Sequence, residues 1–287
     1  MSTPGPTRDT AAFCADLVRN HDFADYAATI FAPADRRRAL LALYAFNDEI
    51  VRVREHISQP LPGEIRLQWW TDMLTGPGHG GVEGHPVAAE LLAAIREFDL
   101  PIDALTRLIE AHEFDLYNDP MPDMAALEGY LQQTSASLLS LAAGVVGPAS
   151  DHVAHIARHA GFAIGLTRIL STLPFDSSRR QMFVPRDSLE RHGVDIESVF
   201  SGRATPELRG ALNDLIAEAR RHMDVALELL TELSRDVRTV FLPLAAARSE
   251  LDRLARPDRD PFTPLPPSHL RTLWTVWRAA RSARFRV

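Results

Sequence analysis

Three histidines, His152, His155 and His159, stand at i, i+3 and i+7, a spacing that sets three imidazoles on one helix face. Imidazole nitrogens ligate transition metals, yet such a centre takes a fourth ligand and the sequence places none beside them, so a solvated or partly packed face is the plainer reading. Cys14 is the sole cysteine, which rules out an internal disulfide and any cysteine-rich metal centre. Every Lys/Arg position is arginine, and without lysine no Schiff-base chemistry is available. The richest stretch is PADRRRALLALYAFNDEIVRVRE, from Pro33 to Glu55, in which Leu40, Leu43, Tyr44, Asn47 and Val51 fall on one stripe at helical period. A core-facing helix of this shape is where metal-binding carboxylates would be sought. Asp48 and Glu49 flank the wrong face, and the stripe carries Val51 instead.

The elements that must position these residues read as helices. Asp9 opens one to about Asn20, a short one follows over Asp22 to Phe31, and the Pro33 to Glu55 helix comes next with Pro33 in its first turn. A turn at Pro60 to Gly63 leads to Glu64–Leu74, and the glycine-rich GPGHGGVEGHP (76–86) is a flexible connection. Helical patterns recur over Val87–Phe98, Pro101–Tyr117, Met124–Val146, Asp151–Leu173, Pro206–Leu233 and Arg235–Ala255, and Ser268 caps a last helix to about Ala283. Between them FDSSRRQMFVPR (175–186) reads as a basic loop, and PDRDPFTPLPP (257–267) as a proline-broken connection. No alternating strand pattern extends over six residues, so the fold class is all-α.

At 287 residues, 46% hydrophobic and 24% charged, the chain has the composition of an ordinary globular protein. No apolar run reaches the length of a membrane span, and MSTPGPTRDT lacks the basic and apolar regions of a secretory signal, so the cytoplasm is the expected location. A net charge of −7 argues against nucleic acid as a general partner.

The segment ALYAFNDEIVRVRE resembles the first signature of the squalene and phytoene synthase family, which reads ALYAFCR followed by an aspartate-rich D-D-x-x-D. The resemblance continues through RLQWWTDML (66–74), HPVAAELL (85–92), LIEAHEFDL (108–116), YLQQTSASLLSLAAGVVG (130–147), AGFAIGLTRIL (160–170), FVPRDSLERHGV (183–194) and WRAARS (277–282). It thus spans nearly the whole chain, and it implies one domain over 1–287, with 1–8 as a leader, built as an isoprenoid-synthase-type helical bundle around a deep central cavity. It also implies head-to-head condensation of C15 or C20 prenyl diphosphates, whose leaving group needs Mg²⁺ held by two aspartate clusters on facing helices.

Laid on that pattern, the first cluster falls at Val51, Arg52 and Glu55 and the second at Thr172 and Asp176, so each keeps one carboxylate. The family's Gln, Asn and Arg in the second region become Gly165, Arg168 and Ser171, and Gly165, Arg168 and Thr172 share a face at i, i+3 and i+7. The expectation is a cavity without catalytic residues, in which Glu55 and Asp176 are the remaining metal candidates and Arg52 and Arg168 convert the mouth into a metal-free anion site. No cofactor is expected; Mg²⁺ belongs to the alternative of an active transferase. Tyr44, Asn47, Tyr130, Thr134, Gly165 and Arg168 are the implied ligand-lining residues. Glu113 and Asp115 resemble the family's M-D-L segment, where an acidic residue lines the cavity, and fit a solvated helix edge equally well. Trp69 and Trp70 are expected in the core.

One branch of the family is similar in the departures themselves, that of the mitochondrial assembly factor for respiratory complex I. The matching residues are Ala45, Phe46, Asn47 and Glu49; Arg66, Gln68 and Trp70; Thr134, Ser135, Ser137, Leu138 and Leu139; and Arg179, Arg180, Phe183 and Pro185. This resemblance implies a pseudoenzyme that helps to build a respiratory complex, with a complex subunit, an isoprenoid or a prenyl diphosphate as partner. The C-terminal stretch from Arg253 carries eight arginines against two aspartates, together with Trp274 and Trp277. Such a helix suits a membrane surface, which would seat the protein peripherally at the inner membrane face, or an acidic partner. The favoured expectation is that both tryptophans seal the bundle while the arginines are solvated.

Overall fold

The computed structural model describes residues 9–57, 59–76, 84–282 and 285. Most of the glycine-rich connection (77–83) and the leader 1–8 lie outside the described residues. Among those described, the α-helices are α1 (Thr10–His21), α2 (Phe23–Thr29), α3 (Arg37–Val51), α4 (Pro60–Thr75), α5 (Pro86–Phe98), α6 (Ile102–Ala111), α7 (Met124–Leu131) and α8 (Ser137–Val146). They continue with α9 (Asp151–Ser178), α10 (Arg186–Arg191), α11 (Ile196–Phe200), α12 (Pro206–Leu229), α13 (Arg235–Arg238), α14 (Pro243–Leu254) and α15 (His269–Ala280), and no strand interrupts them. The all-α expectation holds.

Side-chain caps fix several starts. Asp9 accepts from the backbone N–H of Ala12, Asp123 from Ala126, Ser150 from Val153, Thr205 from Leu208 and Ser268 from Arg271. Elsewhere the elements depart from their sequence pattern. Pro33 lies outside α3, because Pro33–Arg36 closes a turn through Arg36 N–H to the Pro33 carbonyl at 3.0 Å. Pro60–Gly63 forms the first turn of α4 instead of preceding it, where proline's missing N–H is tolerated. Gly63 leaves room there for the methyl ends of Leu116 and Ile57, which a Cβ would meet at 2.6 Å and 2.7 Å. The short helices α10 and α11 give no sequence signal of their own.

Three irregularities shape the centre of the molecule. α3 tightens into a 3₁₀ turn over Arg52–His56, and α6 does the same over His112–Leu116. Between α7 and α8 a π-helical turn, Gln132–Ala136, bulges towards α9. That approach depends on two glycines of α9: a Cβ on Gly161 would lie 2.4 Å from Ala136 Cα, and one on Gly165 would lie 2.5 Å from Leu131 and 2.7 Å from Ser135 Oγ. α9 itself runs on through Pro174 to Ser178, so the first residues of the expected basic loop are helical.

α9 is the spine, packed against α12, α14, α8 and the π turn, while α3 packs against α1, α5 and α8. Phe46, Leu43, Leu105, Leu131 and Leu166 belong to the core they enclose, and Trp70 is buried with them while Trp69 is partly so. At the far end α15 docks on α2 and α14 through the small residues Thr275, Val276 and Ala279. Trp274 and Trp277 therefore face outward and do not seal the bundle. Among the described residues no helix is long and apolar enough to cross a membrane.

Candidate functional site

A central cavity of about 190 Å³ lies between α3 with its 3₁₀ turn, the 3₁₀ turn after α6, the α7–π turn–α8 segment and α9. Leu131, Leu138, Leu139, Ile164, Ile169 and Phe183 supply apolar wall. Tyr44, Asn47, Tyr130, Thr134, Gly165 and Arg168 all line it as well. The π turn brings Thr134 and Ser135 to the wall, and Thr134 Oγ1 donates to the Tyr130 carbonyl at 2.8 Å.

Both pairs of would-be metal positions, Val51 with Glu55 and Thr172 with Asp176, also line this one cavity. Each pair contributes one carboxylate, and each carboxylate has a partner within the protein. Val51 offers no ligand, and Glu55 accepts from Arg52 Nε at 2.9 Å. Across the cavity Thr172 Oγ1 donates to Asp176 at 2.6 Å, and burial pushes the Asp176 carboxyl up to about 6, with Asp115 adding to the rise. Asp115 in turn is held by His112 Nδ1 at 2.7 Å and by the Tyr130 hydroxyl at 2.9 Å. Hard cations want several free, ionised oxygens converging on one point. Among the described residues no group of three or more His, Cys, Asp or Glu side chains is placed to hold a metal ion.

The two arginines expected at the cavity mouth part company. Arg52 begins the 3₁₀ turn and points out of the cavity into a separate hollow lined by Asp48, Glu49, Arg66, Trp69 and His85. There it contacts His21 at 2.9 Å and lies 3.7 Å from Asp48. Arg168 does reach the cavity but is ion-paired with Asp22, whose charge, with that of Asp25, raises its guanidinium above the ordinary value. Asp25 also lines the cavity, and burial followed by the nearby Asp22 raises its carboxyl. Burial likewise raises the Tyr44 and Tyr130 hydroxyls well above the usual phenol range, so both are neutral donors.

Asp25, Arg54, His112 and Gln181 line the cavity without having been singled out from sequence, and Arg179, noted only as a family match, joins them. Gln181 Nε2 donates to the Asp115 carbonyl at 3.0 Å, and Arg179 stacks over the Phe175 ring at 4.0 Å. Arg54 donates to Asn118 at 3.1 Å, while its Nε, like His112 Nε2, is buried without a hydrogen-bond partner among the described residues. Of the acidic pair after α6, Asp115 lines the cavity and Glu113 is exposed.

The histidine trio does not meet at one point, although the His155 and His159 rings touch edge-on with centroids 4.9 Å apart. His152 Nε2 lies 3.2 Å from Glu232, whereas His159 Nδ1 lies 3.2 Å from His222 Nδ1 on α12. Burial and the adjacent His222 lower the His159 imidazole below its ordinary value.

Comparison with known proteins adds an independent line. The family model for squalene/phytoene synthase matches residues 18–278. The chain is 30% identical over 256 residues to "NADH dehydrogenase (ubiquinone) complex I, assembly factor 6" of Rattus norvegicus, covering 89% of this chain and 77% of that protein. It superposes with a TM-score of 0.75 and 20% identity on a squalene synthase of Alicyclobacillus acidocaldarius, covering 90% of this chain and 96% of the other. A dehydrosqualene synthase in complex with ligand gives 0.78 at 18% identity, covering 96% and 97%. These two likenesses carry the isoprenoid-synthase fold.

Proposed function

The chain belongs to the squalene/phytoene synthase family, and from that premise we propose that it is a member without metal-dependent prenyl transfer that acts in assembly of the respiratory NADH:quinone oxidoreductase. The cavity is kept as a pocket for an isoprenoid or a similar apolar chain. The single observation that carries this reading is the state of the two facing pairs. Each retains one carboxylate, Glu55 ion-paired with Arg52 and Asp176 hydrogen-bonded by Thr172 and drawn towards protonation by burial. Departure of diphosphate demands concentrated positive charge, and an arginine already balanced by Asp22 supplies little of it. The cavity is also small beside the roughly 300–1,000 Å³ of pockets that take drug-sized ligands, which disfavours two C15 chains side by side. Likeness to the complex I assembly factor supports the biological half of the reading.

The test is genetic and biochemical. Deleting the gene should leave the oxidoreductase under-assembled and membrane NADH oxidation low. Both the wild-type chain and the Glu55→Gln/Asp176→Asn double variant should restore it, because the reading assigns no chemistry to those carboxylates. Intact assembly in the deletion strain would contradict it.

A second reading rests on a specific observation: Asp25, Glu55, Asp115 and Asp176 all line the cavity. If they rearrange into a working cation site, the protein condenses farnesyl or geranylgeranyl diphosphate. It would then release diphosphate only with Mg²⁺ and lose that activity in the same double variant.

A further inference from the structure

Helix α15 is apolar on two sides, and only one of them is covered. The inner side packs Thr275, Val276 and Ala279 against the bundle, and His269 stacks on Phe23 of α2 at 4.1 Å. The outer side presents Leu270, Leu273, Trp274 and Trp277 at i, i+3, i+4 and i+7, with exposures of 83%, 38%, 58% and 37%. The two indoles stack on each other at 5.0 Å, which extends the stripe over two helical turns. Isolated exposed leucines need no explanation, but a continuous stripe of this kind marks an interaction surface.

Charge specifies the kind of surface. Arg271, Arg278 and Arg281 are exposed around the stripe, and the Arg281 guanidinium lies over the Trp277 ring at 4.7 Å. No acidic residue follows Asp260 in the sequence, although the chain as a whole carries −7. Nearby, burial and then Arg271 lower the Arg253 guanidinium, with Glu250 opposing. Tryptophan rings favour the level of lipid headgroups, and guanidinium binds phosphate through paired hydrogen bonds. The hollow beneath the start of α15 is bounded by Arg168, the same residue that lines the central cavity, so a bilayer seated on α15 would adjoin the wall of a pocket suited to an apolar chain.

We propose that the outer face of α15 docks on an anionic lipid bilayer, with Leu270, Leu273, Trp274 and Trp277 at the boundary of headgroups and acyl chains and Arg271, Arg278 and Arg281 on lipid phosphates. The proposal stands whether or not the cavity turns over a ligand.

Flotation of the full chain with vesicles of phosphatidylcholine, alone or with phosphatidylglycerol, tests it. The wild type should float with the anionic vesicles and be released by high salt, and its tryptophan emission should shift to the blue on binding. Leu270→Gln/Trp274→Gln should lower partitioning at least about tenfold, and Arg271→Gln or Arg278→Gln about fivefold each. All four positions are exposed, so thermal melting should be unchanged, which separates lost docking from lost fold. The proposal is overturned if the wild type ignores anionic vesicles, if the Leu270/Trp274 variant floats as well as the wild type, or if those substitutions instead abolish self-association seen in sedimentation.

Discussion

On the wall of the central cavity Glu55 is held by Arg52, Asp176 by Thr172, Asp115 by His112 and Tyr130, and Arg168 by Asp22, whereas on the outer face of α15 Arg271 and Arg278 flank exposed indoles with no acidic residue after Asp260. The first region has turned its ionisable groups on one another. Groups engaged in this way stabilise a cavity but are withdrawn from a cation or a polyanion that would have to displace their partners. The second region leaves both its charge and its apolar surface for something outside the chain. The contrast teaches that within one chain the polar groups of a buried pocket can be satisfied by one another while a terminal helix, peripheral to that pocket, presents its arginines and indoles outward.

Four changes would break or sharpen this contrast, from the largest effect to the smallest. Gly161→Ala drives a methyl group into the Ala136 backbone and should cost about 3 kcal/mol, read as a lower urea midpoint at unchanged slope. Val51→Asp/Thr172→Asp returns the missing carboxylates to the cavity. Mg²⁺ at a hundredfold excess over its dissociation constant should then stabilise the variant by about 2.7 kcal/mol and leave the wild type unmoved in thermal melts.

The third change is Asp176→Asn, which removes a carboxyl whose folded value of about 6 lies above the model-compound 3.8. Stability from such a group is full below the unfolded value and is lost as pH rises through the folded one. The variant should therefore gain about 1–2 kcal/mol at pH 8 and little at pH 4 in paired unfolding curves. Smallest is Trp274→Gln, which should shift stability by no more than about 0.5 kcal/mol because the ring packs outward.

How far the sequence foretold these features follows from where each signal lives. Helix periodicity and the capping residues Asp9 and Ser268 made the all-α fold legible, and the resemblance to the family's two aspartate clusters pointed to Val51 with Glu55 and Thr172 with Asp176, which do line the cavity. The direction of Arg52 was not legible, because a regular helix was expected where α3 tightens into a 3₁₀ turn. His112, Asp25 and Arg54 reach the cavity from separate elements, and no local spacing joins them. The helical pattern was expected to end at Leu173, yet α9 continues through Pro174 to Ser178 and delivers Phe175 and Asp176 from a helix, with Arg179 at its C-cap. The outward turn of Trp274 and Trp277 was weighed but not favoured, because α15 is apolar on both sides and composition does not say which side packs. Gly161 and Gly165, four apart on α9, were the visible trace of the π turn's close approach, although only the structure gives them that meaning.

The most direct test of a cavity withdrawn from metal-dependent chemistry is to titrate the purified chain with farnesyl diphosphate in Mg²⁺ and then in EDTA while following released diphosphate. The account predicts no release in either condition and any binding indifferent to EDTA. Release that requires Mg²⁺ and disappears in the Glu55→Gln/Asp176→Asn variant would contradict it.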